Sequence, residues 1–238
     1  NVQEIQHTLA SDPNNAEAHF KMAVYYGSAD QLDVVKQLEY LKQSADLGFA
    51  EGQLQYGFYL LNQGKGEEGL QYLEKSASQN LVQAMTLLGD LYFAGYQDQQ
   101  GNSVIERSAD QAIKYLSQAI EQNSQDARYT LAYVYLDPNL GKQDISKAVE
   151  LLERNIDYDN KKAHLASLIA LIDIYSKGQY VPVDSVKLVD YFYLASLQGY
   201  VPSLYPVGMM QREGAKGAKI EITQDHTMAF ENLFKAAN

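Results

Sequence analysis

The chain repeats itself, and that constrains its fold more than any other feature. "AMTLLGDLYFAG", Ala84 to Gly95, sets a small residue, a Leu-Gly pair, a tyrosine and a closing glycine at fixed offsets. The same offsets recur in "AHFKMAVYY" from Ala18, "GQLQYGFYLLNQG" from Gly52, "ARYTLAYVYL" from Ala127 and "SLIALIDIYSKG" from Ser167. "SLYPVGMMQREG" from Ser203 is the poorest copy, keeping Gly208 and Gly214 but placing Gln211 in the tyrosine slot. A second motif follows each first one: "QLEYLKQSADLG", "GLQYLEKSASQN", "AIKYLSQAIEQN", "AVELLERNIDYD", "LVDYFYLASLQG" and "AFENLFKAAN" align without gaps. Apolar residues three and four apart mark helices rather than strands, and Gly or Asn endings mark helix termini.

The pattern predicts six helix–turn–helix units, each with a helix A and a helix B, starting about 32–43 residues apart. A glycine inside a helix costs about 1 kcal/mol relative to alanine, so Gly89 needs a reason. It is the eighth residue of its helix A, and Ala23, Gly57, Ala132, Ile172 and Gly208 hold the same position elsewhere. A mostly small residue there lets helices A and B of one hairpin cross closely, with Tyr92 and its equivalents filling the space one turn later. Gly89 is therefore read as packing and not as part of a site.

Ala84, Leu88-Gly89, Tyr92 and Gly95, followed by Ala112, Tyr115-Leu116 and Ala119, resemble the Sel-one-like repeat, a relative of the tetratricopeptide repeat. "SDPNNAEAHF" from Ser11 and the second repeat, with its short turn, are closer to the tetratricopeptide pattern itself. The resemblance implies an all-α fold, an α-solenoid of about thirteen helices in a right-handed superhelix. The whole of 1–238 is expected to form a single repeat array. Residues 1–12 would be a partial N-terminal helix or cap, and the repeats would run 16–49, 50–81, 82–125, 126–162, 163–200 and 201–238. Ile172 in the small-residue slot, Asn155 in the corresponding slot of helix B, and the long loops after Gly95, Gly178 and Gly214 depart from the pattern.

Nineteen Lys and Arg against thirty Asp and Glu give a formal charge of −11, and no basic run interrupts it. Nucleic acid and anionic membranes are disfavoured as partners, because phosphate binding needs clustered cations. The chain has no cysteine, which excludes disulfides and thiolate metal sites. "GKGEEG", Gly64 to Gly69, matches a dinucleotide fingerprint, but a helical segment precedes it where a strand is required. It reads as a turn. His7, His19, His164 and His226 share no helical ligand spacing, so no metal or other cofactor is expected. No nucleophile elbow or Walker loop occurs, and the chain reads as a non-enzyme.

Repeats of this type line an inner, concave surface with their A helices, where positions two, five, nine and twelve form one stripe. The stripe holds Glu51, Leu54, Phe58 and Leu61, then Gln83, Thr86, Asp90 and Phe93, then Asp126, Tyr129, Tyr133 and Leu136, with Asp173 in the fifth repeat. Acidic groups beside rings suit protein interfaces. Glu51, Leu54, Phe58, Asp90, Phe93, Asp126, Tyr129, Tyr133 and Asp173 are the candidate partner-binding residues, with Tyr129 equally suited to inter-repeat core. The expected partner is a protein with a basic or amphipathic surface. The expected role is a protein-binding scaffold of a bacterial envelope, periplasmic or envelope-associated, with a lipid anchor upstream of residue 1 compatible with the absence of an initial Met. The resemblance also offers an immunity protein that neutralises a type VI secreted lipase, and a hydrolase of cell-wall or lactam substrates. The hydrolase relatives carry paired cysteines that this chain lacks.

Overall fold

In a computed structural model, residues 2–98 and 101–237 are described; they divide into two compact units, 1–127 and 128–238. The first contains α1 (Val2–Ser11), α2 (Ala16–Tyr26), α3 (Val34–Asp46), α4 (Ala50–Asn62), α5 (Gly66–Ser78), α6 (Val82–Ala94), the strands β1 (Tyr96–Gln97) and β2 (Ser103–Ile105), and α7 (Ala109–Glu121). Helix α8 (Gln125–Leu136) lies mostly in the second unit. There it is followed by α9 (Ile145–Glu153), β3 (Ile156–Asp157), β4 (Lys162–Ala163), α10 (Leu165–Lys177), α11 (Ser185–Leu197), α12 (Leu204–Glu213), β5 (Ala215–Lys216), β6 (Glu221–Ile222) and α13 (His226–Ala237). The described residues thus carry thirteen α-helices in helix–turn–helix pairs, with strands confined to three small antiparallel hairpins. The all-α expectation holds.

Local chemistry starts and stops these helices. The B helices α3, α7, α9, α11 and α13 each begin beside an Asp or Ser side chain that accepts backbone N–H bonds of the first turn: Asp33, Ser108, Asp144, Asp184 and Asp225. Helix α5 follows Lys65, whose side chain makes no such cap bond. At the far ends Gly48, Asn80, Asn123 and Gly199 adopt left-handed backbone (φ 63–94°), the conformation that lets the chain leave a helix sharply.

Close helix crossings at glycine then hold three of the hairpins together. A Cβ on Gly89 would sit 2.4 Å from Cγ of the fully buried Leu116 on α7. At the α4–α5 crossing, a Cβ on Gly57 would lie 2.8 Å from the Gly69 carbonyl oxygen, and one on Gly69 would lie 2.7 Å from that of Gly57. Gly208 meets Leu233 in the same way, at 2.8 Å. The motif "GKGEEG" is a turn and two packing positions: Gly64 turns the chain at φ +75°, Gly66 packs on Val104, and Gly69 packs on Gly57. Serines recur in the last turn of two B helices, where Ser44 Oγ donates to the Ala16 carbonyl (2.8 Å) and Ser76 Oγ to that of Ala50 (2.7 Å).

One expectation needs correction, and one of the long loops packs as well as connects. "AVELLERNIDYD" does not continue as helix B to Asp159, because α9 ends at Glu153. The buried Asn155 amide accepts from Arg128 Nη1 (3.1 Å) and donates to Ser167 Oγ (2.9 Å), while its carbonyl accepts the His164 N–H. Those bonds tie the chain to α8 and α10 and lead it into the β3–β4 hairpin. The loop after Gly95 is also more than surface. Tyr96 donates its hydroxyl to the Leu61 carbonyl (2.6 Å), and Ile105 is buried.

Of the segment Gln97 to Ser103, Gln99 and Gln100 lie outside the described residues, and Asp98 and Asn102 bond to each other. Replacing Gln97–Ser103 by a short Gly-Ser turn should leave helicity and cooperative unfolding intact, whereas Ile105→Ala should cost about 2–4 kcal/mol. Thermal melts followed by circular dichroism decide it. A chain that fails to fold after the loop swap would place the tip inside the packing.

Candidate partner-binding face

The A-helix stripe is best followed within each unit. In the first unit, Phe58 is 49% exposed on α4 and Leu54 lies half-buried one turn earlier. The two share an open cleft of about 500 Å³ with Val34, Leu38 and Leu41 of α3 and Leu87 of α6. No charged side chain lines it. Glu51 stands apart from that pair, at the edge of a second cleft of about 520 Å³ formed by α1, α2 and α4 and lined by Ile5, Phe20 and Val24. Asp90 is half-buried on α6 and Asp126 is exposed on α8. Phe93 is half-buried and roofed by Arg107, whose guanidinium lies 5.6 Å from the ring and whose Nε donates to the Phe93 carbonyl (2.8 Å).

Position twelve is closed in two of the three repeats, where Leu61 and Leu136 are core residues, 1% and 6% exposed, while Phe93 at the same position of α6 stays half-buried. At about 100° per residue, position twelve lies about 40° from the small-residue position eight and about 60° from position nine, so it turns toward the hairpin crossing.

In the second unit the structure brings Tyr129 and Tyr133 together, their ring centres 4.9 Å apart, with His164 edge-on to Tyr129 at 5.5 Å. Tyr133 is half-buried, which corrects the expectation of a solvent-facing ring. Burial raises its pKa, with the Tyr129 hydroxyl and the nearby Asp173 charge adding to the shift. Asp173 itself is exposed and paired with Lys177 (2.6 Å). These rings form a packed cluster with an acidic edge.

The densest polar group of the second unit lies away from the stripe. Lys187 Nζ donates to Glu153 Oε1 and to the Tyr175 hydroxyl, both at 2.8 Å, and Tyr191 donates to the same Glu153 oxygen at 2.8 Å. Burial opposes the ammonium charge, but the bonds to Glu153 and Tyr175 outweigh it and raise the Lys187 pKa. The amine is held protonated and tied down, without the free lone pair that a nucleophile or base requires. Beside it, burial and the Asp190 and Glu153 charges push Tyr158 up to about 12. Among the described residues no group of three His, Cys, Asp or Glu side chains is arranged to hold a metal ion, and no helix is long and apolar enough to cross a membrane.

Sequence reasoning missed the α3 wall of the Phe58 cleft. Its signal was the run "LDVV", Leu32 to Val35, where three apolar residues surround a capping Asp and remain 53–68% exposed.

Within each unit, paired helices crossing at small residues and stacked on neighbouring pairs define a helical repeat protein of the interaction-scaffold class. The Sel1 repeat model matches residues 16–49, 50–81, 82–124, 125–154, 165–200 and 202–238, and the chain belongs to that family. Its structure is similar to that of a protective antigen present in uropathogenic Escherichia coli strains that displays an SLR fold (TM-score 0.71, 19% identity). That match covers 96% of this chain and 47% of the antigen. It is also similar to a Sel1 repeat protein from Oxalobacter formigenes (TM-score 0.69, 24% identity), with 93% of this chain and 62% of that one covered. The chain thus spans about half to three-fifths of these two relatives. No curated protein matches it. Sel1 and tetratricopeptide-like repeats typically mediate protein–protein interaction, and the fold is not typically enzymatic.

Proposed function

We propose that this chain is a non-enzymatic scaffold that binds a protein partner through the A-helix faces of its repeats, the partner offering a basic or amphipathic surface. The observation that carries the reading is that the A helices leave apolar and aromatic side chains open or half-buried and carry carboxylates elsewhere on the same faces. Phe58 and Leu54 border an open cleft, and Tyr133, packed on Tyr129, feels the nearby Asp173 charge. Carboxylates at the edge of such a face speed association with a cationic partner, and rings at its centre slow dissociation. Residence in a bacterial envelope is part of the same proposal and rests on the family resemblance and the Gln- and Asn-rich composition.

Affinity capture on the immobilised chain, compared with an Asp126→Lys, Asp173→Lys double variant, tests the reading. Both carboxylates are exposed, so the fold should persist by circular dichroism. The expected result is one stoichiometric basic partner that associates about tenfold more slowly with the variant and with weaker salt dependence. A secreted lipase as that partner would make the scaffold an immunity protein. Equal association with both chains would remove the A-helix face from the binding surface.

A further inference from the structure

The charge of the chain is unevenly divided. Residues 1–127 hold seven Lys and Arg against seventeen Asp and Glu, a net −10, while residues 128–238 hold twelve against thirteen, a net −1. The acidic unit is also the one with the uncharged cleft between α3, α4 and α6. Val34 and Phe58 at its mouth remain 53% and 49% exposed, and the cleft's about 500 Å³ exceeds what one side chain fills. A mostly apolar hollow, whose polar members Gln37, Gln55, Tyr59 and Asn62 are uncharged, inside a strongly acidic unit favours an occupant with apolar residues on one side and cations around them.

The walls restrict the occupant's backbone as well. Val34, Leu38 and Leu41 come from α3, Leu54 and Phe58 from α4, and Leu87 from α6. Within a helix the backbone N–H and C=O groups are already paired, so an extended strand would find no ladder partner there. A helix arrives with its own backbone satisfied and can bury a stripe of Leu- or Phe-sized side chains. We infer that the α3–α4–α6 cleft of the first unit seats the apolar face of a cationic amphipathic helix from the partner protein, with Phe58 as the central contact. This rests on the protein-binding reading above and names the partner's chemistry.

The test uses the full chain and three fluorescent synthetic peptides: a Leu/Lys amphipathic helix, the same pattern with Glu for Lys, and a Leu/Lys scramble of identical composition. Anisotropy should show the Leu/Lys helix binding about tenfold or more tightly than either control. Phe58→Ala should weaken it by about tenfold or more, while Phe58→Trp retains binding and shows a blue-shifted emission on saturation. Phe230→Ala, on the exposed face of α13 in the other unit, should leave affinity unchanged. Equal binding of helix and scramble, or full affinity in Phe58→Ala, would reduce the effect to charge attraction and overturn the assignment. A native partner lost in the Asp126→Lys, Asp173→Lys variant yet bound normally by Phe58→Ala would overturn the cleft and leave the A-helix-face reading standing.

Discussion

Leucine at position 89 is expected to cost about 3 kcal/mol or more and to lower the melting temperature by about 6–12 °C. A Cβ alone would stand 2.4 Å and 2.5 Å from Cγ and Cδ2 of Leu116, which has no exposed surface to move into. The crossings also rank. Alanine at Gly89 meets only side-chain atoms of Leu116, so the strain falls on one side chain's packing, whereas alanine at Gly69 meets the Gly57 backbone oxygen at 2.7 Å. Gly69→Ala should therefore destabilise more than Gly89→Ala, because moving a helix backbone disturbs every contact along it. Urea denaturation of the two variants measures the order. A parent-like midpoint for both would show that the helices cross elsewhere.

The second large effect is expected at Gly217. Asp190 on α11 is 1% exposed, and its carboxylate accepts the N–H groups of Lys219 (2.8 Å) and Ile220 (2.9 Å) in the β5–β6 turn. Burial raises the Asp190 pKa and those N–H bonds oppose the rise, so the site depends on the bonds staying intact. A Cβ on Gly217 would fall 1.9 Å from Oδ1. Gly217→Ala should push the carboxylate off its donors, leave a buried charge poorly paired, and cost about 3 kcal/mol or more. Ala218→Gly, at an exposed neighbour, is the control and should be nearly silent. Equal denaturation midpoints for Gly217→Ala and the control would mean that the hairpin does not lean on Asp190.

The helices were legible because their signals are local. Spacing of three and four, Asp or Ser at B-helix starts, and Gly or Asn at B-helix ends each act within a turn or two. The small-residue slot was legible for a related reason: Gly57, Gly89 and Gly208 cost helix stability that only a close crossing explains. What escaped the sequence depends on distant neighbours. Asn155 ends α9 through bonds to Arg128 and Ser167, twenty-seven and twelve residues away. Strands of two or three residues, as in all three hairpins, are too short to show alternation. At the candidate face, Leu54 and Phe58 could be read from the α4 stripe. Their companions Val34, Leu38 and Leu87 could not, since which helices border an opening is decided by packing and not by the period of any one of them.

Hydroxyl-radical footprinting of the chain, free and saturated with its captured partner, asks directly which side chains the partner covers. The A-helix account predicts reduced oxidation at Phe58 on α4 and at Tyr129 and Tyr133 on α8, with Phe230 and Phe234 of α13 unchanged at their present 69% and 61% exposure. Protection confined to Phe230 and Phe234, with Phe58 oxidised as in the free chain, would contradict it.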